Sequence, residues 1–278
     1  QEAVSLRASA ANLAGHLRVT GVCNVRFALR PDGGEYAVLE ADPCFRRASA
    51  LASKVTGYPV PCVTAHLILG RSLDQVKTGF TDFSTAFSEP AVDYCAVKMP
   101  KWSFGKFKSG ADKLGTAMKA TGEAMAIGTD FESAFMKALR SVDASLLVPA
   151  VPKFKAMENE ELIEAIKASD DERIFAVLEA LSRDIPMAAI HEITMIDEWF
   201  LVKMKNIASI ARALANHPSP EEIEAARMAG YTRRGIEELT GSPCEIPSNS
   251  FKTVDTCAAE FDTDSHYYYS TADEQNEA

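Results

Sequence analysis

Val22-Cys23-Asn24-Val25-Arg26-Phe27-Ala28-Leu29, Arg30-Pro31-Asp32-Gly33-Gly34 and Tyr36-Ala37-Val38-Leu39-Glu40-Ala41 form the stretch on which the fold of this chain turns. The two outer runs are strand-like, and Asp-Gly-Gly supplies the positive-φ positions that a tight hairpin needs. Side chains alternate along a strand, so Asn24, Arg26 and Ala28 share a face of the first strand and Glu40 and Asp42 share a face of the second. Folding at Asp32–Gly34 sets Arg26 opposite Glu40. One face then carries Asn24, Arg26, Glu40 and Asp42, with Arg46 and Arg47 just beyond.

Outward from the hairpin, residues 1 to about 143 mix helices and strands. The opening segment to about Leu17 has helical spacing. Helices are expected over Arg47–Val55, stopping at Gly57-Tyr58-Pro59, and from Pro61 to about Leu69, stopping at Gly70. Ser72 with Gln75 reads as a capping box, and so does Thr129 with Glu132 ahead of a helix to about Leu139. Tyr94–Met99 and Glu123–Ile127 read as strands. Val148-Pro-Ala-Val-Pro152 marks a boundary. Beyond it the pattern is helical, with candidates at 158–168, 171–182, 186–191, 195–216, 220–229 and 233–240. Ser219-Pro220-Glu221-Glu222 is a strong start signal, and Gly230 and Gly241 fall where helices should end. Ile196, Phe200, Met204 and Ile207 recur at three- and four-residue steps and read as a core stripe. From Ser248 the pattern changes. Phe251–Phe261 is strand-like, and Tyr267-Tyr268-Tyr269 reads as a half-buried junction.

Composition narrows the function. The 278 residues suffice for one large domain or two ordinary ones. Hydrophobic residues at 47% and charged residues at 24% are globular values. No apolar run approaches the ~20 residues of a membrane helix, so no membrane partner is expected. The net charge of −10 argues against nucleic acid as a partner. The acids concentrate in residues 251–278, where seven stand against Lys252 alone, the pattern of a solvated surface or linker. None of the six cysteines lies in a C-x-x-C pair, which suits idle thiols in a reducing compartment, cytoplasmic or organellar. The start lacks an initiator Met and a signal peptide, as expected of a piece of a longer chain.

The hairpin is the one place where polar groups converge, and its cluster has two readings. Carboxylates at i and i+2 suit magnesium, which takes one or two carboxylates and fills its shell with water and phosphate oxygens. Arginines past the strand could hold phosphate or a carboxylate-like substrate, which together suggests phosphoryl transfer. Equally, Arg26 and Glu40 could be an ordinary cross-strand ion pair worth ~0.2–1 kcal/mol. There is no Gly-rich phosphate loop and no Ser-His-Asp or Cys-His set. Cys44 lies beside Arg46 and Arg47, but no base accompanies it.

Three segments here resemble the first ATP-grasp domain of carbamoyl phosphate synthetase large subunits. They are Asn24–Leu29, Val38-Leu39-Glu40-Ala41-Asp42-Pro43, and Ser49-Ala50-Leu51-Ala52-Ser53-Lys54-Val55-Thr56-Gly57-Tyr58-Pro59. Further similar segments follow in order: Glu89–Tyr94, Lys98–Trp102, Gly122–Gly128, Ile196–Leu201 and Val254–Phe261. The resemblance implies an α+β C-terminal part of an ATP-grasp domain over residues 1–143. It implies an all-α helical oligomerisation domain over 144–248 and a linker into the second synthetase half over 249–278. It also implies a ligase that phosphorylates bicarbonate with ATP and magnesium or manganese. Ammonia from a glutaminase subunit or domain then yields carbamate, a second ATP-grasp domain makes carbamoyl phosphate, and the helical domain joins copies into a homo-oligomer.

Residue by residue, the resemblance implies an altered site. The family's Gln, a metal and nucleotide ligand, is Arg26. Its Glu is retained as Glu40. Its ligating Asn is Asp42, the Arg after the Asn-Pro pair is Cys44, and the first of its paired serines is Ala48. The later Arg is retained as Arg47. Arg26 and Glu40 are thus the expected nucleotide contacts, Glu40 and Asp42 the metal ligands, and Arg47 the catalytic cation. Gln, Glu and Asn together carry −1, and so do Arg26, Glu40 and Asp42. A guanidinium nonetheless has no lone pair for a metal, so an impaired site is expected. The competing expectation is a homologue that serves as an assembly scaffold.

Overall fold

The computed structural model describes the chain except residues 1, 31–32, 103, 105–112, 116–118, 259, 261–262 and 264. Pro31 and Asp32 of the hairpin turn, and Ala259, Phe261, Asp262 and Asp264 of the tail, therefore lie outside the described residues. The chain divides into two compact units, Gln1–Asp93 with Thr253–Tyr268 and Tyr94–Lys252 with Tyr269–Ala278.

The first unit opens with α1 (Glu2–His16), followed by the hairpin β1 (Asn24–Leu29) and β2 (Tyr36–Asp42), then α2 (Arg47–Thr56) and α3 (Val60–Ile68). α2 ends on Gly57, whose φ of 71° is the left-handed conformation that Gly adopts without steric cost. A Cβ there would press on Val254 O at 3.3 Å. The neighbouring Tyr58 accepts from Ser53 Oγ through its carbonyl (2.7 Å) and donates its hydroxyl to Ala86 O (2.7 Å). Ser53, Gly57 and Tyr58 thus have structural work in the turn between α2 and α3. The expected Ser72 capping box forms, with Ser72 N donating to Gln75 Oε1 (3.1 Å), but only one 3₁₀ turn follows. The core of this unit is slight. Val63, Val76 and Ala86 are buried, with Tyr58 and Leu67 packed against them, whereas Val38, Leu39 and Leu29 of the hairpin are exposed.

The second unit holds the antiparallel pair β3 (Cys95–Lys101) and β4 (Gly122–Gly128), then α4 (Phe131–Val142). Seven helices follow: α5 (Pro152–Lys155), α6 (Asn159–Ala168), α7 (Arg173–Ser182), α8 (Met187–Thr194), α9 (Glu198–Leu214), α10 (Pro220–Met228) and α11 (Arg233–Thr240). α4 packs on both strands with one side and against α9 with another. β5 (Ser250–Thr253) and β6 (Tyr268–Thr271) form the remaining two-stranded sheet. The sequence sets its break near residue 143, whereas the compact units part at Asp93 and Tyr94. Phe135, Met136 and Leu139 of α4 are buried in the same cluster as Leu162, Leu181 and Ile207 of the later helices.

Three local expectations need correction. The cap of α4 is Asp130, one residue later than the Thr129 box. Ser133 N donates to Asp130 Oδ1 (2.7 Å), and Glu132 instead accepts from Lys203 Nζ (3.2 Å) and Asn206 Nδ2 (3.0 Å) on α9. Among the described residues of Phe251–Phe261 the strand ends at Thr253, because Asp255 turns the chain by accepting from Cys257 N (2.6 Å). On α9 the buried face runs through Leu201, Met204, Ile207, Ala208 and Leu214. Of the expected stripe, Met204 and Ile207 are in the core, Ile196 precedes the Asp197 cap, and Phe200 is 42% exposed.

The cap supplies a direct check. Asp130→Ala removes the acceptor for a helix-start N–H and should cost about 0.5–2 kcal/mol. Thr129→Ala should stay within about 0.5 kcal/mol. Urea denaturation of both variants separates the assignments, and a larger loss at Thr129 would restore the sequence-based cap.

Candidate nucleotide and metal site

The site begins with hairpin register. Asn24 pairs with Asp42 and Arg26 with Glu40, after which Phe27 pairs with Val38. Leu39 is therefore the extra residue of a β-bulge, and its side chain is 61% exposed. Below the bulge Phe27 and Tyr36 meet edge to face, with ring centroids 5.6 Å apart. Above it the polar residues expected from alternation come together.

Their contacts sort into pairs. Arg26 Nη2 lies 3.2 Å from Glu40 Oε2. Arg46 Nη2 lies 3.3 Å from Asp42 Oδ1, and its Nε donates to Cys44 Sγ at 3.2 Å. The hydrogen bond to Cys44 and the charge of Asp42 both push the Arg46 guanidinium further up from its ordinary value. Cys44 thus sits beside a cation, and no base hydrogen-bonds its sulfur among the described residues. Both ion pairs are solvent-facing, with Arg26 70% and Arg46 60% exposed at the side chain, so water screens them and each contributes little. Arg47 is the first residue of α2 and is exposed, and its side chain makes no hydrogen bond or ion pair among the described residues.

Asn24 departs from the cluster it was expected to join. Its Nδ2 donates to Cys44 O (3.1 Å) and lies 2.8 Å from Ser49 Oγ, which also accepts from Arg46 N (3.3 Å). Ser49 is 3% exposed. This link ties the start of α2 to β1 and so sets where Arg46 and Arg47 leave the strand. Sequence reasoning missed Ser49, although its place three residues after Arg46 at a helix start was a readable signal.

The donor set does not fit a metal as arranged. Among the described residues no group of three His, Cys, Asp or Glu side chains could hold an ion. Each available carboxylate is already engaged by a guanidinium: Asp42 accepts from Arg46, and Glu40 is ion-paired with Arg26. Exchanging those guanidiniums for Mg²⁺ would require both arginines to swing out and the ion to keep most of its water.

Comparison with known proteins identifies the family that the chain resembles. Residues 1–76 match the family model described as the carbamoyl-phosphate synthase L chain, ATP binding domain. Residues 123–250 match that of the carbamoyl-phosphate synthetase large chain, oligomerisation domain. The carbamoyl phosphate synthase large chain of Lachnoclostridium phytofermentans is 42% identical over 98% of this chain and 26% of its own length. Those of Clostridium acetobutylicum and Methanothrix thermoacetophila are 41% and 39% identical, each over 98% of this chain and 27% and 26% of their own lengths. The chain spans about a quarter of the length of these relatives. Among the described residues no helix is long and apolar enough to cross a membrane.

Proposed function

The chain belongs to the carbamoyl phosphate synthase large-chain family, and on that premise we propose that it is the later part of the first synthetase half, with an impaired first site. Residues to about 143 are the C-terminal part of the carboxyphosphate-forming ATP-grasp domain. Residues 144–248 serve in oligomerisation, and 249–278 lead toward the second half. The whole protein joins bicarbonate, ATP and ammonia on the way to carbamoyl phosphate.

The observation that carries the impairment is the Arg26–Glu40 ion pair at 3.2 Å. At the first position the resemblance implies an amide ligand, and at the second the carboxylate that shares its metal. A guanidinium neutralises Glu40 without offering a lone pair to a metal. Arg46 does the same to Asp42. Phosphoryl transfer depends on positioned positive charge that bridges phosphate oxygens. Here that charge is spent on the protein's own carboxylates, and Arg47 stands exposed without a partner to orient it. We derive no step through a metal at this site.

The experiment is calorimetric titration of residues 1–278 with ATP and magnesium. Weak binding or none is expected, because Arg26 and Arg46 are paired and Arg47 is unsupported. Micromolar affinity would show that the arginines yield to nucleotide, and the impairment would be abandoned.

A further inference from the structure

We propose that the second unit carries a binding pocket for a phosphate-type oxyanion, lined by Lys137, Arg140, Arg227 and Arg233 and separate from the hairpin site. The pocket has a volume of about 180 Å³, and no carboxylate lines it among the described residues. At roughly 30 Å³ per water this is about six water volumes, enough for one tetrahedral anion with a few waters and too small for a nucleotide.

The cations fall into two classes. Arg227 and Arg233 are satisfied. Arg227 donates twice to Glu224 (2.9 and 2.7 Å), and Arg233 donates to Glu237 (3.1 Å). Lys137 and Arg140, one turn apart on α4, make no ion pair among the described residues. Lys137 Nζ donates to the carbonyls of Ile127 (2.8 Å) and Ser270, and lies 5.7 Å from the centroid of the Tyr269 ring. One of its three N–H groups has no protein acceptor among the described residues. Arg140 donates through Nη1 to Gly230 O (2.7 Å), and its other N–H groups have no protein acceptor among the described residues.

Two neighbouring cations held away from water are costly unless an anion compensates them. Burial, then the charge of Arg140, push the Lys137 ammonium down to about 8, with Asp130 opposing weakly. Burial lowers Arg140 as well. Asp130, the cap of α4, lies outside the lining and offsets the Lys137 shift only in part, Tyr231 donates to Ile207 O (2.8 Å), and the acids acting on Arg227 are Glu224, Asp273 and Glu274. The rim adds the first turn of α11, where Thr232 caps Gly235 N (3.2 Å). Helix starts favour negative charge.

The test titrates the chain with inorganic phosphate against chloride at equal ionic strength, followed by melting temperature and ³¹P NMR. Saturable stabilisation by phosphate alone is expected. Lys137→Gln or Arg140→Gln should each weaken binding at least tenfold, or 1.4 kcal/mol, while Arg212→Gln on α9, paired with Asp184, should leave it unchanged. Methyl phosphate bound as well as phosphate would assign the pocket to the phosphoryl end of a small metabolite, and phosphate alone to the free anion. Where a variant fails to fold, the unsubstituted protein decides. NMR titration of the Lys137 ammonium should show its pKa rising when phosphate is added, with Asp130, Arg140, Arg227 and Arg233 as the charged groups around it. Identical behaviour in phosphate and chloride, variants that bind normally, or an unmoved Lys137 would each overturn the assignment.

Discussion

A chimera in which residues 1–278 replace the matching quarter of the Clostridium acetobutylicum large chain should show bicarbonate-dependent ATP hydrolysis about 10²–10³-fold below that of the parent. The size of the loss follows from what the site has exchanged. Positioned charge at the transferring group is the main catalytic resource of phosphoryl transfer, and losing one such contact typically costs two to three orders of magnitude. Here Arg26 is bound to Glu40 and Arg46 to Asp42. Arg26→Gln with Asp42→Asn and Cys44→Arg should return most of the activity. The first change frees Glu40, the second releases Arg46 from its carboxylate, and the third supplies a cation where Cys44 now accepts from Arg46. Arg26→Gln alone should recover only part, since Asp42 keeps Arg46. A chimera as active as its parent before any substitution would sink the proposal. Circular dichroism and gel filtration of the chimera separate a dead site from a misfolded one.

The second large effect concerns the helical core. Leu201→Ala should destabilise the chain by about 2–5 kcal/mol, because Leu201 is wholly buried and its removal leaves a cavity that rigid helix packing fills only in part. Phe200→Ala should cost roughly 0.5–1.5 kcal/mol, the worth of its aromatic contacts. Phe200 touches Phe131 (5.5 Å between centroids) and Trp199 (5.0 Å) but keeps 42% of its surface in water. Hydrophobic pattern alone ranks the two the other way, since Phe200 lies on the stripe with Met204 and Ile207. Equal losses in urea denaturation would mean that the stripe had been read correctly and the burial wrongly.

The case of Phe200 shows where pattern reading loses resolution. Residues 199–202 of α9 are Trp-Phe-Leu-Val, apolar all round, so a stripe drawn through any of them satisfies a 3.6-residue period. Which one faces inward depends on the helices packed against α9. The cap of α4 failed for a similar reason. Thr129 and Asp130 are both good caps, and the chain uses Asp130 while Glu132 is drawn to Lys203 and Asn206, seventy residues away in sequence. Where competing signals were absent, as at Ser219-Pro220 before α10 or Gly57 after α2, local chemistry and structure agree.

The candidate site divides the same way. Alternation and the Asp-Gly-Gly turn were enough to place Arg26 opposite Glu40, because strand pairing is a matter of short-range geometry, whereas the bulge at Leu39 was not legible. The sequence by itself also determined the family resemblance and the helical run after Pro152, since these are properties of residue identity and spacing. Tertiary structure alone decided how the polar groups are shared. Asn24 leaves the cluster for Ser49, Arg46 goes to Asp42 and Cys44, and Arg47 is left exposed. The pocket around Lys137 and Arg140 was invisible in the sequence, because Arg227 and Arg233 reach it from about ninety residues further along the chain. The cost of holding its cations arises only when packing removes water from them.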